Sequence, residues 1–256
     1  MAGKPYTIVV LVKQVPDMNA VKIDRATGKP ILSGQSVISS FDEYAIEEAL
    51  RLKEAHGGEV IIVSAGPPSV KDAITRALAM GADRGILIQV EDVNALDTLA
   101  VAGLLAEQLR TLTYDIIFLG QNSDDYVTGQ VGPQLAELLG LPQVSSVTKV
   151  EANSDSLTLH RDTEDGKQIV DVATPVVVLA MTGLNEPRYP SLKGIMAAKR
   201  KPIEQVTATP PTTAARVTWG EPFVPERTVT GTIVQDVAPA DAAKQLVAWL
   251  KEQKLI

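Results

Sequence analysis

Apolar residues in this chain fall into short unbroken runs, separated by longer stretches in which they recur with the spacing of a helix. Thr7-Ile8-Val9-Val10-Leu11-Val12 is continuous and β-branched, the pattern of a strand covered on both faces. Runs at 59–64, 85–90 and 115–119 repeat it. Between them, Ala45, Ile46, Ala49, Leu50 and Leu52 form one helical stripe, Ala73, Ile74, Ala77 and Leu78 a second, and Leu99, Ala102, Leu105, Ala106 and Leu109 a third. The punctuation agrees. Ser40-Phe41-Asp42-Glu43 has the capping-box arrangement, with Ser40 accepting from the Glu43 amide, and Gly57-Gly58 ends that helix. Ser69 caps the next helix and Gly81 ends it. Residues 21–35 alternate around Gly28-Lys29-Pro30 and read as a small hairpin excursion.

Such alternation of strand and helix predicts the α/β class: a doubly wound, mostly parallel, Rossmann-like sheet with right-handed crossovers. After Gly140 the pattern changes. Residues 144–151, 156–161 and 168–172 read as strands that extend or flank the sheet antiparallel, whereas 176–180 reads as another buried core strand. From about residue 207 the chain turns to Pro, Thr, Ala and Val without helical period, and it closes on an amphipathic helix at 241–251 with Ala242, Leu246, Val247 and Leu250 on one side. This divides the chain into a nucleotide-binding domain, 1–206, and an extended C-terminal arm, 207–256. Either the arm is a solvated terminus or it lies on another subunit. Trp219, Phe223 and Trp249 favour the second, because solvated tails are poor in aromatic residues.

One loop stands out for chemistry: Gly120-Gln121-Asn122-Ser123-Asp124-Asp125-Tyr126-Val127-Thr128-Gly129-Gln130-Val131-Gly132-Pro133. It follows a central strand and leads into a helical pattern at 134–139. Open α/β sheets bind ligands at the carboxyl ends of their strands. Backbone N–H groups of such a loop, with the first turn of the next helix, form a phosphate site. The bland alternative is an ordinary polar strand-to-helix turn.

Composition narrows the chemistry further. The chain has 256 residues, no cysteine and two histidines, so thiolate nucleophiles, Cys-based metal sites and His-rich centres are excluded or nearly so. His56 precedes a helix-ending Gly-Gly and His160 alternates with Leu157 and Leu159, so neither reads as a catalytic base. Acid–base or nucleophilic chemistry by this chain alone is therefore not expected. A net charge of −7 argues against a nucleic-acid surface, despite Lys199-Arg200-Lys201. No apolar run approaches the length of a bilayer helix, and no secretory segment opens the chain, so a cytoplasmic protein is expected.

A second landmark is Leu184-Asn185-Glu186-Pro187-Arg188-Tyr189-Pro190-Ser191-Leu192-Lys193-Gly194-Ile195-Met196-Ala197-Ala198-Lys199. Leu192, Ile195 and Met196 are either core or exposed anchors for a partner. Together with Val12-Lys13-Gln14-Val15-Pro16-Asp17 and Ala77-Leu78-Ala79-Met80-Gly81-Ala82-Asp83-Arg84-Gly85, this stretch closely resembles the beta subunit of electron transfer flavoprotein. The likeness covers nearly the whole chain, and Asn185-Glu186-Pro187-Arg188-Tyr189 is its most specific part.

The resemblance implies an electron carrier rather than an enzyme. It implies a heterodimer whose alpha subunit holds the redox-active FAD, and electrons passing from flavin dehydrogenases, such as the acyl-CoA dehydrogenases of fatty acid oxidation, to a membrane quinone oxidoreductase. It further implies an AMP held structurally in this subunit by Leu11, Ser39, Ser40, Phe41, Asp42, Ala65 and residues 120–131, with residues 15–18 toward the partner's flavin. Residues 184–203 would form a partner-recognition loop carrying Asn185, Arg188, Tyr189, Leu192, Ile195 and Met196, with Leu192 entering a pocket on the dehydrogenase. The nucleotide loop departs from the family's patterns. Gly129-Gln130-Val131-Gly132-Pro133 is similar to electron-bifurcating members, which bind a second FAD there, whereas Tyr126 and Val127 replace the small and acidic residues of that pattern. AMP and FAD both stay open on this ground. The reading from another class is a non-redox nucleotide-binding sensor, which would need neither the arm nor the loop at 184–203.

Overall fold

The computed structural model of the chain describes residues 4–32, 34–208, 215–225 and 231–256, so that most of the Pro- and Thr-rich run at 208–213 lies outside the described residues. Two compact units are present, residues 1–222 and residues 223–256. In the first, β1 (Tyr6–Leu11) leads into short strands β2 (Gln14–Pro16), β3 (Lys22–Ile23), β4 (Pro30–Ile31) and β5 (Ser36–Ile38), then α1 (Ser40–His56), β6 (Gly58–Gly66), α2 (Lys71–Met80), β7 (Arg84–Gln89) and α3 (Thr98–Leu109). There follow β8 (Ile116–Gly120), α4 (Val131–Leu139), β9 (Gln143–Ala152), β10 (Ser156–Thr163), β11 (Gly166–Ala173), β12 (Val176–Ala180), α5 (Leu192–Ala198) and β13 (Ile203–Thr207). The second unit holds α6 (Pro239–Glu252), none of whose residues is buried.

The main sheet runs β11-β10-β9-β12-β8-β1-β6-β7-β13. From β9 to β13 every neighbouring pair is parallel, and only β10 and β11 add on antiparallel. The doubly wound expectation therefore holds, with one correction. Residues 144–151 belong to β9, which lies parallel to β12, because α4 carries the chain back along the sheet before the strand begins. A second difference is β13, which lies between the loop at 184–203 and the arm from about 207, where the sequence suggested no element. Its Ile203 packs on the core and its backbone pairs with β7, so tertiary pairing supplies what a polar five-residue segment could not signal.

The reason for two helical layers is visible in β1. Tyr6, Ile8 and Val10 face one core with α1 and α2, while Val9 and Leu11 face the other with α3 and α4. Full burial of a Val, Leu or Ile side chain is worth about 1.5–3 kcal/mol, and strands β1, β8 and β12 are buried on both sides. Each must therefore sit between helices. The caps also differ from expectation. α1 begins at Ser40 itself, so the capping box does not form: Glu43 pairs with Arg76, and Ser40 turns to a partner from another loop. Ser69 lies in a 3-10 turn, with Val70 standing before α2. Among the described residues no helix is long and apolar enough to cross a membrane.

Candidate functional site

β6 and β8 flank β1 on opposite sides, so the winding of the sheet reverses beside β1. At that point the carboxyl ends of β1, β6 and β8 open into a cavity of about 560 Å³, the place where doubly wound sheets hold ligands. Its apolar part includes Leu11, Val63, Val101, Leu105 and Leu119, and its polar rim is the loop between β8 and α4.

Asp42, in the first turn of α1, joins the strand ends together. Its Oδ2 accepts from the Lys13 amide at 2.7 Å and its Oδ1 from the Gly120 amide at 2.8 Å. Burial raises its carboxyl to about 7, while the two amides pull the other way. Gly120 is required by contact rather than by dihedral angle: a Cβ there would lie 2.5 Å from Phe41 Cβ and 2.7 Å from Asp42 Oδ1. Asp124 caps α1 from outside. Its carboxylate accepts from the Ser40 amide and hydroxyl, each at 2.7 Å, and its own amide donates to Ser39 Oγ at 3.3 Å. An acidic group at a helix N-terminus is favoured by the helix dipole, so the α1 end is already occupied. The first turn of α4 is different. Val131 and Gly132 line the cavity, and their amides are those that a helix leaves without an internal acceptor.

The rest of the rim is set by side chains. Lys13 Nζ pairs with Asp125 at 2.6 Å and stands 4.6 Å from the centre of the Tyr126 ring; it is the one cationic side chain lining the cavity among the described residues. Gln121 Oε1 accepts from the Ser146 amide at 2.7 Å and Thr98 Oγ1 donates to Gln130 Oε1 at 3.0 Å, fixing both ends of the loop. Of the residues that the sequence assigned here, Leu11, Asp42, Ala65, Gly120–Ser123, Asp125, Tyr126 and Thr128–Val131 line the cavity. Ser39, Ser40, Phe41, Asp124 and Val127, the last with a φ of 51°, are not among the lining residues. The sequence reading did not assign Lys13, Asp97 or Trp219 to this site. Asp97 is the N-cap of α3, accepting from Ala100 N at 2.8 Å, and that amide leads the group that holds its carboxyl below the usual range. The Asp-Thr pair ahead of an apolar stripe was a readable cap signal, but nothing in one dimension linked it to residue 120.

The second assigned group lies elsewhere. Asn185 Nδ2 donates to the Tyr44 carbonyl and to Glu48, each at 3.0 Å. Arg188 grips Glu47 through two guanidinium nitrogens at 2.8 and 3.0 Å and also pairs with Glu54. Burial pushes the Glu47 carboxyl up, but the bonds from Arg188 and Arg51 outweigh it and hold it below the usual range. Thus Asn185 and Arg188 face α1, whereas Tyr189 is 90% exposed, Leu192 83% and Met196 70%, with Ile195 also exposed. Ser191 caps α5 and Lys201 Nζ donates to the Leu78 and Ala82 carbonyls at the end of α2. A Cβ on Gly194 would lie 2.3 Å from the Ala79 carbonyl oxygen, so only glycine lets α5 rest on α2 this closely. The result is an outward apolar patch on a fixed base.

Against known families, the electron transfer flavoprotein domain matches residues 31–211, well over half the chain. Relatives named electron transfer flavoprotein subunit beta include one from Thermoanaerobacterium thermosaccharolyticum, 45% identical over 203 residues and 78% of each chain, and one from Bacillus subtilis, 37% identical over 96% of this chain and 98% of its own. The chain belongs to the electron transfer flavoprotein beta subunit family. The "Caffeyl-CoA reductase-Etf complex subunit CarD" of Acetobacterium woodii is also similar, 34% identical over 97% of this chain and 99% of its own. Membership of this family makes the chain a subunit of an electron carrier.

Proposed function

We propose that this chain is the beta subunit of a heterodimeric electron carrier and that its cavity holds AMP. The alpha subunit carries the redox-active FAD, which supplies the electron chemistry, and this chain encloses and positions it. Electrons come from flavin dehydrogenases, the acyl-CoA dehydrogenases of fatty acid oxidation among them, that dock on Leu192, Ile195 and Met196, and they leave to a membrane quinone oxidoreductase. The carrier works in the cytoplasm.

The observation that carries the reading is the cavity at the reversal of the sheet, with an apolar floor and Val131 and Gly132 of the α4 first turn at its rim. Such a site fits a flat base and a phosphate. A second reading, FAD in the same cavity as part of an electron-bifurcating complex, is favoured by Gly129-Gln130-Val131-Gly132-Pro133. Co-expression with the alpha subunit, followed by release and quantification of bound flavin and adenine nucleotide, separates these readings. One FAD and one AMP per heterodimer is the expected result. Two FAD and no AMP selects the bifurcating reading, and a colourless preparation with no second subunit overturns the carrier in favour of a nucleotide-binding sensor.

A further inference from the structure

Residues 215–222 cross the mouth of the cavity as a strap without regular secondary structure, and among the described residues the bonds that fix them run to residues in the cavity's lining or beside it. Asp97 Oδ2 accepts from the Arg216 amide at 2.6 Å and from the Val217 amide at 3.1 Å. Trp219 Nε1 donates to the Leu96 carbonyl at 3.1 Å, and its indole stacks on Tyr126 with ring centres 4.7 Å apart and planes 25° apart. Glu221 pairs with Lys29 at the tip of the β3–β4 hairpin, which covers the cavity from the other side. Trp219 and Pro222 themselves line the space.

We infer that this strap is a retaining wall of the nucleotide site, with Trp219 closing the cavity against Tyr126 and with Asp97 as the fixed point on which the strap is hung. The inference rests on the proposal that the cavity holds an adenine nucleotide. Its logic is one of unequal walls. Strands β1, β6 and β8 and the helices beside them open only when the core comes apart, since their apolar residues are buried. The strap is held by a handful of hydrogen bonds and one ring pair, so it opens locally at far lower cost than the whole unit. A ligand enclosed by both leaves through the weaker wall, and the strap sets its release rate. The stacked pair matters most because its two rings come from the strap and from the rim loop, so parting them opens a gap directly over the ligand. The Trp219 ring lies on this chain's own loop.

The test uses the full chain co-purified with its alpha subunit. Bound adenine nucleotide is quantified first, and its release is then followed by chase with excess unlabelled AMP, and with FAD in a parallel arm. Trp219→Ala is expected to speed release about tenfold or more, with dissociation rather than association carrying the change. Trp219→Phe, which keeps a ring to stack but loses the N–H donor, is expected to fall between wild type and Trp219→Ala. Thermal midpoints should stay close to wild type, because Trp219 lies outside both buried cores. Nucleotide retained by wild type and released at an unchanged rate by Trp219→Ala overturns the strap while leaving the nucleotide site standing. Absence of any adenine nucleotide from wild type, with no binding of added AMP or FAD, overturns the nucleotide site and the strap with it.

Discussion

The cavity and the patch around α5 are built with the same devices and end with opposite surfaces. In both, a carboxylate on α1 reaches across to fix a neighbouring segment: Asp42 holds the ends of β1 and β8, and Glu47 holds the turn at Arg188. In both, a glycine permits a contact that a methyl group would forbid, Gly120 against Phe41 and Gly194 against Ala79. Around the cavity the apolar side chains then converge inward, whereas beyond Arg188 they diverge outward and stay exposed. Apolar groups held outward on a fixed base are what the proposed docking of a partner requires, because water gains nothing from such stiffness and a docking protein does. The cavity has the enclosure that would hold a small ligand. The patch suits brief contacts.

Four substitutions test this contrast, taken from the largest expected effect downward. Gly120→Ala forces a Cβ to within 2.9 Å of the Phe41 carbonyl carbon and 2.5 Å of its Cβ, neither of which can move without shifting the α1 backbone. A loss of about 3 kcal/mol in urea unfolding is expected, at the upper end for overpacking, together with loss of bound nucleotide. A normal midpoint would show that β8 and α1 are not locked in this way. Arg188→Ala strands the carboxylate of Glu47, which is 3% exposed, though Arg51 remains as a second partner. A cost of about 2 kcal/mol follows from breaking such a pair, and electron uptake from a dehydrogenase should fall even though the exposed side chains are unchanged. Uptake at the wild-type rate would separate the patch from its base.

The third test uses pH. The Asp42 carboxyl titrates near 7 in the folded chain against about 3.9 unfolded. The folded state therefore binds more protons between these limits, and this group's contribution to stability falls as pH rises from about 4 to about 7. Burial raises Glu48 in the same sense. Glu47, Glu54 and Asp97 are lowered and act oppositely, losing their contribution only as pH falls below the usual carboxylate range. Asp42→Asn should lower the thermal midpoint at every pH, since its amide cannot accept from both backbone donors, and should flatten the slope between pH 5 and 7.5. An unchanged slope would mean that Asp42 does not titrate there.

The smallest effect on stability belongs to Leu192→Ala, within about 0.5 kcal/mol for an exposed site, with flavin content unaltered. Transfer from the dehydrogenase should nonetheless slow about tenfold. Equal transfer rates, or loss of FAD, would remove Leu192 from docking.

Much of this was legible in one dimension. The period of the apolar residues placed the core strands and α1 to α3, and the loop at 120–133 was visible from its glycines and acids. The capping box at Ser40 misled because the same Ser and Glu serve other partners: Asp124 supplies the cap, 84 residues along the chain from Ser40. β13 was invisible because a five-residue edge strand has no alternation to detect and is defined by what it pairs with.

Sequence alone determined the class of fold, the sheet edge at which the cavity opens and the family, since these follow from local periodicity and from motifs contiguous in the chain. Tertiary structure decided which residues meet. That Asp42 bonds Lys13 and Gly120, that Asp97 and Trp219 belong to the same cavity, and that Arg188 faces inward while Tyr189 beside it faces out, each depends on contacts between distant segments. The physical reason is that a hydrogen bond or a ring contact is specific to a few tenths of an ångström, whereas apolar burial tolerates many arrangements and so leaves the stronger trace in sequence.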